Sequence, residues 1–280
     1  MGRRKKYFRL SPGDRGDVER IAEVRPRDTC LDLERRYRDD DDTTYQLLRD
    51  RAGEVRFHTE PQDTECAAWE RMLELVEKAA KEERPVFWPA SELEPEDLVQ
   101  IIELPRSIAK LKSVTHLRLY GSHLVRIPPA IGEMSSLENL DVYTSHRLHW
   151  FPYEITRCRR LRDSRVSTRS LYGNFKYRSP FPPLANDGSL PIDTRGRCSV
   201  CNRPLQEGNI HPAWISLPIA TDVLPLLVRA CSRECIERLP TPAEDYVQHP
   251  HSGGLSVDQP PTELSRFDSS MKPSDSQPPG

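Results

Sequence analysis

The stretch Pro105-Arg-Ser-Ile108-Ala-Lys-Leu111-Lys-Ser-Val114-Thr-His-Leu117-Arg-Leu119 returns twice further along the chain. It comes back as Pro128-Pro-Ala-Ile131-Gly-Glu-Met134-Ser-Ser-Leu137-Glu-Asn-Leu140-Asp-Val142, and again as Pro152-Tyr-Glu-Ile155-Thr-Arg-Cys158-Arg-Arg-Leu161-Arg-Asp-Ser164-Arg-Val166. Aligned, the apolar positions coincide: Ile108, Ile131 and Ile155; Leu111, Met134 and Cys158; Val114, Leu137 and Leu161; Leu119, Val142 and Val166. Alternation over the last residues of each copy predicts a strand with every second side chain inward, and the spacing of three before it predicts an irregular or short helical return. A single such coil cannot shield its own apolar face, so neighbouring coils are expected to stack and share a core.

The pattern Leu-Pro-x-x-Ile-x-x-Leu-x-x-Leu-x-x-Leu-x-Leu resembles the short leucine-rich repeats of bacterial proteins, over about residues 100–184. The resemblance implies an α/β solenoid with an exposed concave face. Where that family often carries an Asn that bonds backbone between coils, this chain has Ser122, Ser145 and Arg169.

With only three copies, the ends of the array need covers. Between Thr64 and Glu82, the residues Cys66, Trp69, Met72, Leu73, Val76 and Ala80 share one side of a helical wheel, with Asp63 or Thr64 as N-cap and Pro85 beyond the end. This helix is expected to cover the N-terminal end. A second short helix is expected to start at Pro95, and the aromatic residues within 171–184 to close the far end.

Residues outside the apolar set decide what such an array could bind. Arg118, Asp141 and Arg165 form one outward column, His116, Asn139 and Asp163 the next, with Tyr120 and Tyr143 beside them. They read either as a recognition surface for a protein partner or as a ladder of charges that neutralise one another. A second patch, residues 157–178, holds Arg157, Arg159, Arg160, Arg162, Arg165, Arg169, Lys176 and Arg178 against the single acid Asp163. Together with Tyr172, Phe175 and Tyr177 it raises nucleic acid as an alternative partner.

Cys198-Ser-Val-Cys201 and Cys231-Ser-Arg-Glu-Cys235 are two close thiol pairs among seven cysteines. That spacing suits a tetrahedral site of four thiolates, with the second pair at the mouth of a helix capped by Ser232. Ile215, Leu217 and Ile219, and then residues 226–228, supply strands between the pairs. The order of knuckle, strands and helix resembles the treble-clef zinc fingers, although Asn202 stands where a glycine often follows the knuckle. The resemblance implies one structural zinc, held by Cys198, Cys201, Cys231 and Cys235, in a small ββα module. His211 could stand in for one thiolate, and buried thiols or disulfides are the plain alternative. Cys66 and Cys158 fall at apolar positions. Cys30-Leu-Asp32 resembles the Cys-x-Asp of the bacterial leucine-rich-repeat ubiquitin ligases, but it precedes the repeats where their catalytic domain follows them, and chance explains three residues.

Arg and Lys (41) nearly balance Asp and Glu (43) over 280 residues, so net charge draws the chain to neither nucleic acid nor membrane. No apolar run approaches the roughly 18 residues of a membrane span, which points to a cytoplasmic protein. The expected division is 1–60 unassigned and charged, 61–184 helical cap and repeats, 190–241 zinc module, and 242–280 a disordered tail rich in Pro and Ser. No catalytic constellation is recognisable, and the chain reads as a non-enzymatic protein-binding protein with Arg118, Tyr120, Asp141, Tyr143 and Arg165 as the contact residues.

Overall fold

The structure, a computed structural model, describes residues 58–184, 196–206 and 208–262. Cys30 and all but the last three residues of the segment 1–60 lie outside them. Helix α1 (Ala67–Lys81) buries Ala68, Met72, Leu75, Val76 and Ala79. Its inward face is therefore rotated from the expected one: Leu75 and Ala79 go in, while Trp69, Leu73 and Ala80 are only half-buried. Cys66 occupies the N-cap position without a side-chain cap, while Asp63 Oδ1 accepts from the Glu65 N–H at 2.9 Å in the turn before it. Helix α2 (Pro95–Gln100) begins at Pro95 as expected, with Glu96 and Asp97 in its first turn. Asp97 turns back to Arg71 of α1, which donates from Nε at 2.7 Å.

Two sheets follow. The first is parallel, in the order β1 (Val86–Phe87), β2 (His116–Arg118), β3 (Asn139–Asp141) and β5 (Asp163–Arg165). Leu117 lies beside Leu140, and Leu140 beside Ser164. The second is mixed: β4 (Phe151–Pro152) runs parallel to β7 (Asp222–Ala230), which pairs antiparallel with β6 (His211–Ile219). Helix α3 (Arg233–Glu237) is the last regular element among the described residues.

The expected α/β solenoid is not what forms. Among the described residues helices are few, the strands of the parallel sheet are two or three residues long, and the returns Arg106–Lys110, Pro129–Glu133 and Tyr153–Arg157 are 3-10 turns. The outermost strand on one side, β1, comes from outside the three related segments. On the other side the parallel order stops at β5, where Ser164 donates its N–H to Thr221 Oγ1 at 3.2 Å. The Thr221 hydroxyl in turn donates to the Ser164 carbonyl at 2.9 Å. Three segments bury too little shared face to close themselves, and the turn between β6 and β7 covers the open side instead.

One apolar core accordingly runs from Ala68 and Met72 through Ile131, Leu137 and Leu140 to Ile215, Val228 and Cys235. The hairpin is not an independent ββα module, because its inner face belongs to the same core as the parallel sheet. Burying side chains of this kind contributes about 1.5–3 kcal/mol each before the entropy of ordering is set against it. A second cluster, Trp150, Tyr172, Phe181, Leu184, Trp214 and Leu227, sits beside it.

Residues 242–262, expected to be disordered, pack onto that second cluster. Trp214 and His251 exchange backbone hydrogen bonds at 2.8 and 3.1 Å, and Tyr246 and Val247 are buried. Pro and Ser content understated this segment because a few anchors suffice when a sheet edge is open to receive them. At the other end of the described chain, Arg126 donates to the His58 carbonyl at 2.8 Å, and Gln62 accepts from the Ile102 N–H at 2.8 Å. No helix among the described residues is long and apolar enough to cross a membrane.

Candidate metal centre and binding face

Residues 196–205 fold back on themselves, with Arg197 bridged to Pro204 and Leu205 N–H donating to the Gly196 carbonyl at 3.0 Å. At the turn, Asn202 adopts φ 61°. Asn is one of the few residues that take this left-handed conformation cheaply, so it serves where a glycine was expected. The Cys201 N–H then points at Cys198 Sγ, 3.5 Å away. On the opposite side Ser232 caps α3 by accepting from the Cys235 N–H at 3.4 Å, which holds Cys235 in the first turn as its sequence position implied.

The four sulfurs of Cys198, Cys201, Cys231 and Cys235 all lie within 4.8 Å of one another, a group that could hold a metal ion. Cys201 Sγ is 3.5 Å from Cys231 Sγ, and Cys231 Sγ is 3.7 Å from Cys235 Sγ. A tetrahedron with metal–sulfur bonds of about 2.3 Å has edges of roughly 3.8 Å. The spacing fits such a site, and the cysteines are unpaired thiols. Cys198 and Cys235 are buried, while Cys201 and Cys231 are partly open.

The surroundings favour negative sulfur at Cys201. The backbone N–H of Arg203 bonds the Cys201 sulfur and draws its pKa down to about 6, and the Arg203 side chain adds to this. Cys231, sharing a proton with Cys201, is pushed up to about 12. Burial raises Cys235. A metal ion that displaced these protons would relieve the repulsion between neighbouring thiolates. His211 lies at the start of β6 opposite Ala230, outside the four-sulfur group. Cys158 stays a core thiol: burial pushes it up to about 12, and its Sγ meets the Ile131 carbonyl at 3.2 Å.

A buried polar network next to the knuckle was not foreseen. Glu154 Oε1 accepts from Arg229 Nη2 at 3.1 Å and from Ser199 Oγ at 3.0 Å, and the same Ser199 Oγ accepts from the Arg229 N–H at 2.9 Å. Arg157 donates to the Ser199 carbonyl at 2.9 Å. Arg229 thus faces Glu154. The only sequence signal was an acid at an otherwise outward position of a 3-10 turn.

The outward face of the parallel sheet carries the other predicted residues. Arg118 Cζ stacks 3.9 Å over the Trp88 ring, and Arg165 Cζ lies 5.4 Å from the Tyr143 ring centre and 6.0 Å from that of Tyr120. The two tyrosine rings are 6.0 Å apart. Asp141 departs from expectation: it is buried, accepts from Arg165 Nη1 at 3.1 Å and from the Tyr143 N–H at 3.1 Å, and burial raises its pKa. Its carboxylate serves the sheet and is not presented outward. Tyr143 is the exposed member of the group, at 43%. Trp88 was missed because it precedes the related segments.

The Arg-rich stretch divides: Arg178 is buried and Arg157 half-buried, while Arg159, Arg160, Arg162 and Arg169 are exposed. Arg157 and Arg178 bond backbone carbonyls, and Arg160 and Arg162 both pair with Glu138. Of the three aromatic residues named with it, Tyr172 and Tyr177 are buried and cannot stack on bases, while Phe175 is half-buried. Ser145 Oγ donates to the Leu119 carbonyl at 3.1 Å and accepts from the Ser122 N–H at 3.2 Å, while Ser122 Oγ meets Ser145 Oγ at 2.8 Å. One segment further on, Ser167 Oγ accepts from the Thr144 N–H at 2.8 Å.

Neither a protein-family model nor a curated protein matches this chain. The residues and their geometry therefore carry the functional reading alone.

Proposed function

We propose that this is a non-enzymatic protein-binding module, which docks a protein partner on the outward face of its parallel sheet and is held together by a structural zinc ion on Cys198, Cys201, Cys231 and Cys235. The observation that carries the reading is the clustering of Trp88, Arg118, Tyr120, Tyr143 and Arg165 on that one face. Aromatic and Arg side chains dominate the energetics of protein interfaces, since they bury large areas while fixing few rotamers. Four thiolates close the shell of a zinc ion and leave it no water to activate, which suits a structural role. Asp141 acts here as a positioning residue that holds Arg165 between the tyrosines.

The test is quantitative capture of partners by the whole chain, compared with Tyr143→Ala and Arg165→Ala. Specific partners lost from both variants, with unfolding midpoints unchanged, support the reading. Capture indifferent to both variants overturns it.

A further inference from the structure

The four sulfurs of the metal centre differ in access. Cys198 is 0% exposed and Cys235 2%, and both belong to the apolar core, while Cys201 and Cys231 are partly open to solvent. The two open cysteines are also close partners, with Cys201 Sγ 3.5 Å from Cys231 Sγ across 30 residues of chain. One stands in the knuckle, the other between the end of β7 and the start of α3.

Chemistry turns that difference in access into selectivity. A metal ion holds its cysteine ligands as thiolates, and the thiolate is the form that reacts with peroxides. With all four sulfurs in that form, contact with solvent decides which of them an oxidant reaches. Arg203 hydrogen-bonds the Cys201 sulfur through its side chain, which puts a cation beside the hydroxide that a peroxide releases.

We infer that the metal centre is a redox switch, in which hydrogen peroxide joins Cys201 to Cys231 as a disulfide and the ion is lost. The inference rests on the reading of the site as structural zinc, is independent of the docking face, and adds how that site is regulated. Cys201 Sγ attacks one peroxide oxygen, the O–O bond breaks, and the leaving hydroxide takes a proton from solvent to become water. Cys201 is then a sulfenic acid. The Cys231 thiolate attacks that sulfur, the S–O bond breaks, and a second hydroxide leaves and is protonated. Two thiolates have lost two electrons, one peroxide has gained them, and two protons complete two waters. Cys198 and Cys235 remain reduced, two ligands where four closed the shell.

The new bond tethers the knuckle to the end of the hairpin, so reduction can restore the four-sulfur site. While it persists the knuckle lacks its ion, and Ser199 within that knuckle is the residue that bonds both Glu154 Oε1 and the Arg229 N–H. Oxidation is therefore expected to loosen the junction between the parallel sheet and the hairpin.

The experiment titrates the reduced, zinc-loaded whole chain with hydrogen peroxide, beside a peroxide-free control. Released zinc is read with a colour-forming chelator, disulfides by peptide mapping without reduction, and stability by the unfolding midpoint. About one zinc is expected to leave per disulfide formed, the disulfide being Cys201–Cys231, with a lowered midpoint. A phosphine reductant with added zinc should restore bound metal and midpoint together. Cys201→His keeps a zinc ligand and removes one open thiol, so this variant is expected to hold zinc and lose the response to peroxide.

Zinc that stays bound under peroxide overturns the inference and leaves the structural zinc in place. So does a disulfide that uses Cys198 or Cys235, or sulfur carried on to sulfinic acid with no disulfide, since neither is the reversible bond between the open pair. A reduced chain that holds no zinc removes both readings. Where Cys201→His fails to retain zinc, the disulfide map of the unmodified chain decides.

Discussion

Glu154 and Arg229 meet at 3.1 Å with side chains only 3% and 7% exposed, 75 residues apart in the chain. The first stands on the 3-10 turn Tyr153–Arg157, the second near the end of β7. Glu154 Oε2 has no hydrogen-bond partner among the described residues. The pair joins the parallel sheet to the hairpin, with Ser199 of the knuckle bonded to both.

Breaking that pair from one side strands a charge in a dry site. Arg229→Met or Glu154→Gln is expected to destabilise the fold by about 3–5 kcal/mol, whereas the double replacement Glu154→Leu with Arg229→Met recovers most of the loss. Urea unfolding of the three variants measures this. Additive losses would show that the two residues do not act as a pair.

Metal content provides the second check. The purified chain is expected to hold about one zinc per molecule, and its X-ray absorption to give four sulfurs at about 2.3 Å. Thiolates must shed protons to bind, so affinity should fall as pH is lowered, and zinc uptake should release protons. Cys231→Ser should lower the retained zinc and the unfolding midpoint together. A chelator that removes the metal without moving the midpoint would exclude the structural role.

Buried imidazole makes the fold sensitive to acid. His149, fully buried with Nδ1 against the Ser170 carbonyl, is held down to about 3 by loss of solvent, and burial brings His251 to about 4. Above pH 6.5 both folded and unfolded chains keep these rings neutral, and no penalty arises. Between about pH 6.5 and 4 the unfolded chain takes up protons that the folded one refuses, so stability falls with pH by up to about 1.4 kcal/mol per unit for each ring. Stability measured across that range should drop, and His149→Phe should flatten the slope.

Gly132 tests the close approach of two 3-10 turns. A Cβ there would meet the Glu154 carbonyl oxygen at 2.5 Å, a contact with backbone that no rotamer change relieves. Gly132→Ala is expected to cost about 1–3 kcal/mol by overpacking, although alanine is otherwise the better residue in a helical turn. Thermal unfolding compares it with Tyr143→Ala, which removes an exposed ring and should change stability by about 0.5 kcal/mol or less.

Local features were legible to the extent that neighbouring residues control them. Pro95 starts a helix because its φ suits the first position, and Ser232 caps α3 because its hydroxyl reaches the N–H three residues on. The inward pattern of Ile108, Ile131 and Ile155, all buried, follows from spacing alone. Four cysteines in two close pairs announced a sulfur cluster before any fold was known. Asp141 was misread because a charge at an outward position looks solvated until neighbouring side chains cover it.

How these pieces close on one another is a property of the folded chain. Periodicity reports which side of a segment seeks burial, a local matter of where each Cβ points. It does not report what will do the burying. The turn between β6 and β7 against Ser164, β4 drawn to β7, and residues 242–262 laid along β6 replace the expected solenoid and separate module with a single shared core. These contacts join residues tens of positions apart, and their free energy exists only once both surfaces are formed and dry.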